Sequence, residues 1–168
     1  IGLTAIGKQI FDVTAEFQKL AAVLNNTLGS QSLAAAALNN IKTFAAQTPF
    51  GVQELTASFV KLANQGFKPT IEELRNLGDI ASSQGKGFDQ LTEAIIDAQT
   101  GEFERLKEFG IRASKEGDKV TFTFKGVKEQ VDFTNDSIRA YILSLGDAEG
   151  VSGSMAAISQ TLGGQVSN

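Results

Sequence analysis

The apolar residues Leu3, Ile6, Ile10, Val13, Phe17, Leu20 and Leu24 follow one another at alternating steps of three and four. Such a seam keeps one side of a helix apolar for about three heptads, roughly 33 Å at 1.5 Å per residue. The chain is therefore expected to open as an amphipathic helix that needs a surface to lie against. At the other end Val151, Met155, Ile158, Leu162 and Val166 are spaced by four, three, four and four. Neither pattern meets a stop signal toward its own end of the chain, and the first residue is Ile rather than Met. Together these read as a piece of a longer polypeptide whose terminal helices carry on as coiled-coil-like segments.

Between the two seams the punctuation is helical. Gly29 closes the first helix, and Ser30 or Ser32 can cap a second whose Leu33, Ala37, Ile41 and Phe44 share a face. Gln47 to Gly51, QTPFG, breaks it, because Pro49 lacks an amide hydrogen and biases Thr48 away from helical angles. A third helix presents Val52, Leu55, Phe59 and Leu62 and ends at Gly66. Thr70 to Glu73, TIEE, reads as a capping box opening a fourth, with Ile71, Leu74, Leu77 and Ala81 inward. Gln84 to Gly87, QGKG, separates it from a fifth carrying Phe88, Leu91, Ile95 and Ala98.

The segment Gly101 to Ile111, GEFERLKEFGI, sets Phe103, Leu106 and Phe109 three residues apart among Glu102, Glu104, Arg105, Lys107 and Glu108. It predicts a two-turn amphipathic helix with Glu104–Lys107 and Arg105–Glu108 pairs, a corner of the fold rather than a reactive cluster. Then the period changes from helical to two. In KVTFTFKG the residues Val120, Phe122 and Phe124 face one way and Thr121 and Thr123 the other. That is a half-buried strand, followed by a Lys125-Gly126 turn and a returning strand through Val127, Glu129, Val131 and Phe133. A helix with Ile138, Tyr141, Ile142 and Leu145 leads into GDAEGVSG. The fold class expected is mainly α, a multi-helix domain with one small antiparallel β-hairpin lying against helices, since two strands alone are marginal in water.

Reactive chemistry is thin. The 168 residues contain no His, Cys or Trp, which removes the commonest general base, the thiol nucleophile and most transition-metal sites. Gly78 to Gly87, GDIASSQGKG, fails as a phosphate loop, because Ile80 stands where the first glycine belongs and Gly87 where a hydroxyl should bind magnesium. The carboxylates Glu72, Glu73 and Asp79, or Asp97, Glu102 and Glu104, are spaced as solvated helix faces ordinarily are. No catalytic, metal or cofactor residue is assigned, and no enzyme is expected. A formal net charge of -4 argues against direct nucleic-acid binding. The charge-poor Leu20–Ile41 stretch carries too many Asn, Ser, Gln, Thr and Gly residues to span a membrane.

The order of the pieces is more distinctive than any one of them. FAAQTPF, ELTASFVKLANQGFKPT, LRNLGDIASSQGKG, GEFERLKEFGI, VTFTFKG and a glycine-flanked GSMAAISQTLGGQVSN together resemble the tape measure domain of bacteriophage and prophage tail tape measure proteins, over about Phe17 to Asn168. The motif residues are Thr48, Pro49, Phe50, Gly78, Asp79, Gly85, Gly87, Gly101, Phe103, Leu106, Phe109 and Gly110. The resemblance implies one domain over 1–168: a heptad helix at 1–28, a helical core at 30–111, the hairpin at 119–133 and C-terminal helices at 135–168. It further implies a parent chain that lies in the lumen of the growing tail tube and sets tail length, with tail tube protein and tail assembly chaperones as partners. Self-association would run through the seam residues Leu3 to Leu24 and Met155, Ile158, Leu162 and Val166. Two other classes fit the residues less fully: a helical interaction module of another bacterial assembly, and a small cell-wall hydrolase using a lone Glu.

Overall fold

The computed structural model describes the backbone of residues 2–159 and the side chains of residues 15–159. It is mainly helical, with a small antiparallel sheet. Helix α1 (Gly2–Leu28) stops at Gly29, whose φ of 73° is left-handed and suits a residue without Cβ. Ser30 caps α2 (Gln31–Ala46) by accepting the Leu33 amide at 3.3 Å. The buried face of α2 is Ala34, Leu38, Ile41 and Phe44, with Leu33 53% exposed. The expected face is thus shifted by one position at its start, with Ala34 and Leu38 buried ahead of Ile41 and Phe44. Phe17, Leu20 and Leu24 of the seam lie within this domain: Leu24 is fully buried, Leu20 packs on the core, and Lys42 stands 4.5 Å from the Phe17 ring centre. Leu3, Ile6, Ile10 and Val13 fall on α1, but their side chains lie outside the described residues, as do Leu162 and Val166 altogether.

Helices α3 (Val52–Asn64), α4 (Ile71–Ser83) and α5 (Phe88–Gln99) form the centre. The capping box at α4 is reciprocal: the Glu73 amide donates to Thr70 Oγ1 at 3.1 Å, and the Thr70 amide to Glu73 Oε1 at 3.0 Å. Sequence periodicity gives α4 one apolar stripe, but every residue from Leu77 to Ser82 is buried. That stretch is wrapped on all sides; Asp79 finds internal partners there, whereas the buried Ser82 hydroxyl has none.

The 101–111 corner differs from expectation. Only Arg105–Phe109 is helical, as a 3-10 helix, closed by Gly110 at φ 74°. The physical reason is in the spacing: apolar residues three apart align in a helix of three residues per turn, not 3.6. Leu106 and Phe109 are fully buried, while Phe103 is partly buried with its ring edge-on to Phe122. Glu104 pairs with Lys107 at 3.1 Å, but Arg105 reaches back to Asp97 at 2.9 Å rather than to Glu108.

The sheet has three strands where two were expected, in the order β1 (Ile111–Glu116), β2 (Lys119–Phe124), β3 (Val127–Asp132), all antiparallel. The hairpin turn is Lys125–Gly126, with φ of 50° and 80°. The inner face of β2, Val120, Phe122 and Phe124, is buried against α6 (Asn135–Ser144), where Tyr141 stacks on Phe122 with ring centres 4.4 Å apart. After α6 the chain makes a short 3-10 turn at Leu145–Asp147, buries Val151 and enters a helix at 154–159.

Candidate functional site

Apart from Phe103, Leu106, Phe109 and Gly110 of the corner, the motif residues fall into two kinds of place. One kind terminates helices. Gly85 (φ 65°) follows the end of α4, whose Ala81 carbonyl accepts the Lys86 amide at 2.9 Å, and Gly87 precedes α5, its amide donating to Gln90 Oε1 at 2.8 Å. The string GKG is thus a helix stop followed by a helix start. Gly101 (φ 88°) closes α5 in the same manner, with the Glu102 amide on the Asp97 carbonyl at 3.0 Å. In the TPF turn Thr48 Oγ1 accepts the Phe50 amide at 3.3 Å, Pro49 is exposed, and Phe50 is buried edge-on to Phe88 with ring centres 5.5 Å apart.

The other kind lies on α4, where Gly78 and Asp79, together with Asn76, hold the end of α6 and the segment that follows it. Asn76 Nδ2 donates to the Leu143 carbonyl at 3.2 Å. Gly146 rests on the Asn76 backbone so closely that a Cβ on it would stand 2.7 Å from Asn76 Cα. Gly78 leaves room for Met155, whose Sδ is 2.3 Å from where a Cβ would be. Asp79, 8% exposed, accepts the Gly153 amide at 3.1 Å and the Met155 amide at 3.0 Å. Those amides open the helix at 154–159, so the carboxylate meets unpaired N–H groups and the positive end of the helix dipole together. A cavity of about 230 Å³ beside it is lined by Thr48, Gln47, Phe44 and Arg75, which brings the TPF turn and the LGD motif to one place.

This arrangement fastens chain to chain. Both oxygens of Asp79 are taken by backbone amides. Among the described residues no three acidic side chains come together in a way that could hold a metal ion. Glu102, Glu104 and Glu108 are all exposed. Perturbed titration occurs elsewhere and has structural causes. Burial, and then the side chain of Asp89, push the Glu54 carboxyl up; the Asp89 amide, which it accepts at 3.2 Å near the start of α5, acts in the opposite direction. Burial beside Phe122, with the Glu129 charge nearby, pushes the Tyr141 phenol up to about 12. Asn76, Gly146 and Gly153 escape a sequence reading, because α4 carries Glu72, Glu73, Arg75, Ser82 and Ser83 besides Asn76 and Asp79, and nothing local sets the inward polar residues apart.

Among the described residues no helix is long and apolar enough to cross a membrane. No protein-family model matches the chain, and no curated protein or solved structure matches it.

Proposed function

We propose that this chain is a non-enzymatic structural module of a phage tail tape measure protein. The observation that carries the reading is the order of motifs, FAAQTPF, LGD with GKG, GEFERLKEFGI, VTFTFKG and GSMAAISQ, along one chain. Their placement supports it: each motif residue ends a helix, fills a corner or fastens the segment after α6, which are the tasks of a folding element and not of a reaction centre. In this role the parent polypeptide lies in the tail tube lumen of the virion, after synthesis in the bacterial cytoplasm, and contacts tube protein and assembly chaperones. The domain is not itself the ruler, because even a fully helical chain of 168 residues would span only roughly 250 Å.

The test is an in-frame deletion in the helical regions of the parent gene, with tail lengths measured by electron microscopy. Tails that shorten in proportion to the residues removed support the reading, and tails of unchanged length overturn it. Peptidoglycan cleavage by the purified chain, lost in Glu102→Gln, Glu104→Gln or Glu108→Gln, would replace it with the hydrolase.

A further inference from the structure

The three-stranded sheet leaves β3 at an edge, and the phase of its ladder fixes which backbone groups are free. The two-residue turn Lys125–Gly126 makes Phe124–Val127 the first pair to exchange hydrogen bonds, and pairing then alternates through Phe122–Glu129 and Val120–Val131. The Phe133 amide on the Asp118 carbonyl, at 2.8 Å, continues the same phase. Lys128, Gln130 and Asp132 therefore direct their N–H and C=O groups away from β2. Outside the strand ladder, only the Asp132 carbonyl among these has a partner, the Thr134 amide at 2.9 Å. A groove of about 470 Å³ runs along this edge, walled on the far side by Ser137, Ala140, Tyr141 and Ser144 of α6. Five of the six β3 residues are exposed.

We propose that β3 pairs with β3 of a second copy of this chain, antiparallel about a twofold axis at Gln130, to make a continuous six-stranded sheet. With Gln130 opposite Gln130, each Lys128 lies opposite an Asp132, and the free backbone groups of Lys128 and Gln130 and the Asp132 amide all face the partner strand, while the Asp132 carbonyl keeps the Thr134 amide. A shift of two residues either way puts Lys128 opposite Gln130 or Asp132 opposite Gln130 and leaves the charges unmatched. Lys128 has no ion pair among the described residues, and Asp132 has only Lys119, on the strand behind it. The opposite edge offers no such match. Centred on Ala113, β1 would set Ile111 against Lys115, and Lys115 already stands over the Phe133 ring at 4.7 Å. Exposed edges commonly carry charge as a bar to pairing; here the charges are self-complementary instead. The inference is independent of the tape measure reading.

Sedimentation of the 168-residue chain over a range of concentrations tests it. A reversible dimer is expected. Asp132→Lys should raise its dissociation constant about tenfold or more, and Lys128→Asp with Asp132→Lys should restore it to within about threefold, because the swapped pair is again self-complementary. Gln130→Pro removes an outward amide that the β2 ladder does not use, so it should abolish the dimer while leaving the fold intact by circular dichroism. Gln130→Cys gives a second readout: in a cysteine-free chain it should form a disulfide-linked dimer on mild oxidation, whereas Ser114→Cys, on the same sheet face at the other edge, should not. A chain monomeric at every concentration overturns the proposal. So does a dimer indifferent to Asp132→Lys and Gln130→Pro, or a series of larger species, which would mean head-to-tail pairing of β3 with β1.

Discussion

Asp79 and Gly153, 74 residues apart, are joined by a hydrogen bond of 3.1 Å from the Gly153 amide to one carboxylate oxygen, while the Met155 amide takes the other at 3.0 Å. One side chain thus supplies the N-terminal cap of the helix at 154–159 from across the domain. Removing it strands two amides at a helix start and leaves α4 with a small cavity. Asp79→Ala should cost about 2 kcal/mol in urea denaturation, from the lost cap and the poorly satisfied amides. Asp79→Asn keeps one acceptor and turns an NH2 toward the second amide, so its cost should fall between that of wild type and alanine. Equal stability of all three would mean that the segment after α6 is held by Val151 and Met155 alone.

Two glycines beside this cap look similar by distance and should behave differently. A Cβ at Gly78 would meet Met155 Sδ at 2.3 Å, but that is the far end of a flexible side chain, and alanine in a helix interior gains roughly 1 kcal/mol over glycine. A Cβ at Gly146 would meet Asn76 Cβ, Cα and O at 2.6, 2.7 and 2.8 Å, and helix backbone cannot step aside. Gly78→Ala should therefore lie within about 1 kcal/mol of wild type, and Gly146→Ala should cost about 3 kcal/mol. Thermal or urea unfolding of the two variants checks the order; the reverse order would place the rigid contact at Gly78.

Local grammar explains which parts of this fold could be read without coordinates. The Thr70–Glu73 box, the glycine stops at Gly29 and Gly66 and the alternation in β2 are all written within a few residues of where they act. β1 could not be read, because Ile111, Ala113 and Lys115 place only two apolar side chains on its inner face. The strand exists because β2 offers it an edge. The clamp on α4 was half legible: Gly78 and Asp79 stand in a recognisable motif, but their partners Gly153 and Met155 lie more than seventy residues on. Nothing local announces a contact at that separation.

The corner at 103–109 makes a graded prediction. Phe109 is fully buried, so Phe109→Ala should cost about 3 to 5 kcal/mol. Phe103 is only partly buried, and its edge contact with Phe122 at 6.2 Å adds a modest amount, so Phe103→Ala should cost about 2 kcal/mol. Glu104 pairs with Lys107 in solvent, its side chain 85% exposed, and Glu104→Gln should lie within about 0.5 kcal/mol of wild type. Chemical denaturation of the three variants measures the gradient, and similar small losses at all three would mean that the segment is not part of the core.

Tyr141 is the sole tyrosine of the chain, so its ionisation can be followed by phenolate absorbance without assignment. Burial raises its pKa to about 12, and the Glu129 charge acts in the same direction. The sign follows from which form the fold prefers. The folded state favours the neutral phenol, so this contribution is fully present below the unfolded value near 10, and is lost as pH rises from there through about 12. The native titration should therefore have its midpoint near 12, and the same titration in concentrated urea near 10. Glu129→Gln removes the lesser of the two causes and should lower the native midpoint only slightly, while Phe122→Ala, which opens the stacked face of the ring to water, should lower it further. A native midpoint equal to the unfolded one would mean that the phenol is solvated and that α6 does not seal the inner face of the sheet.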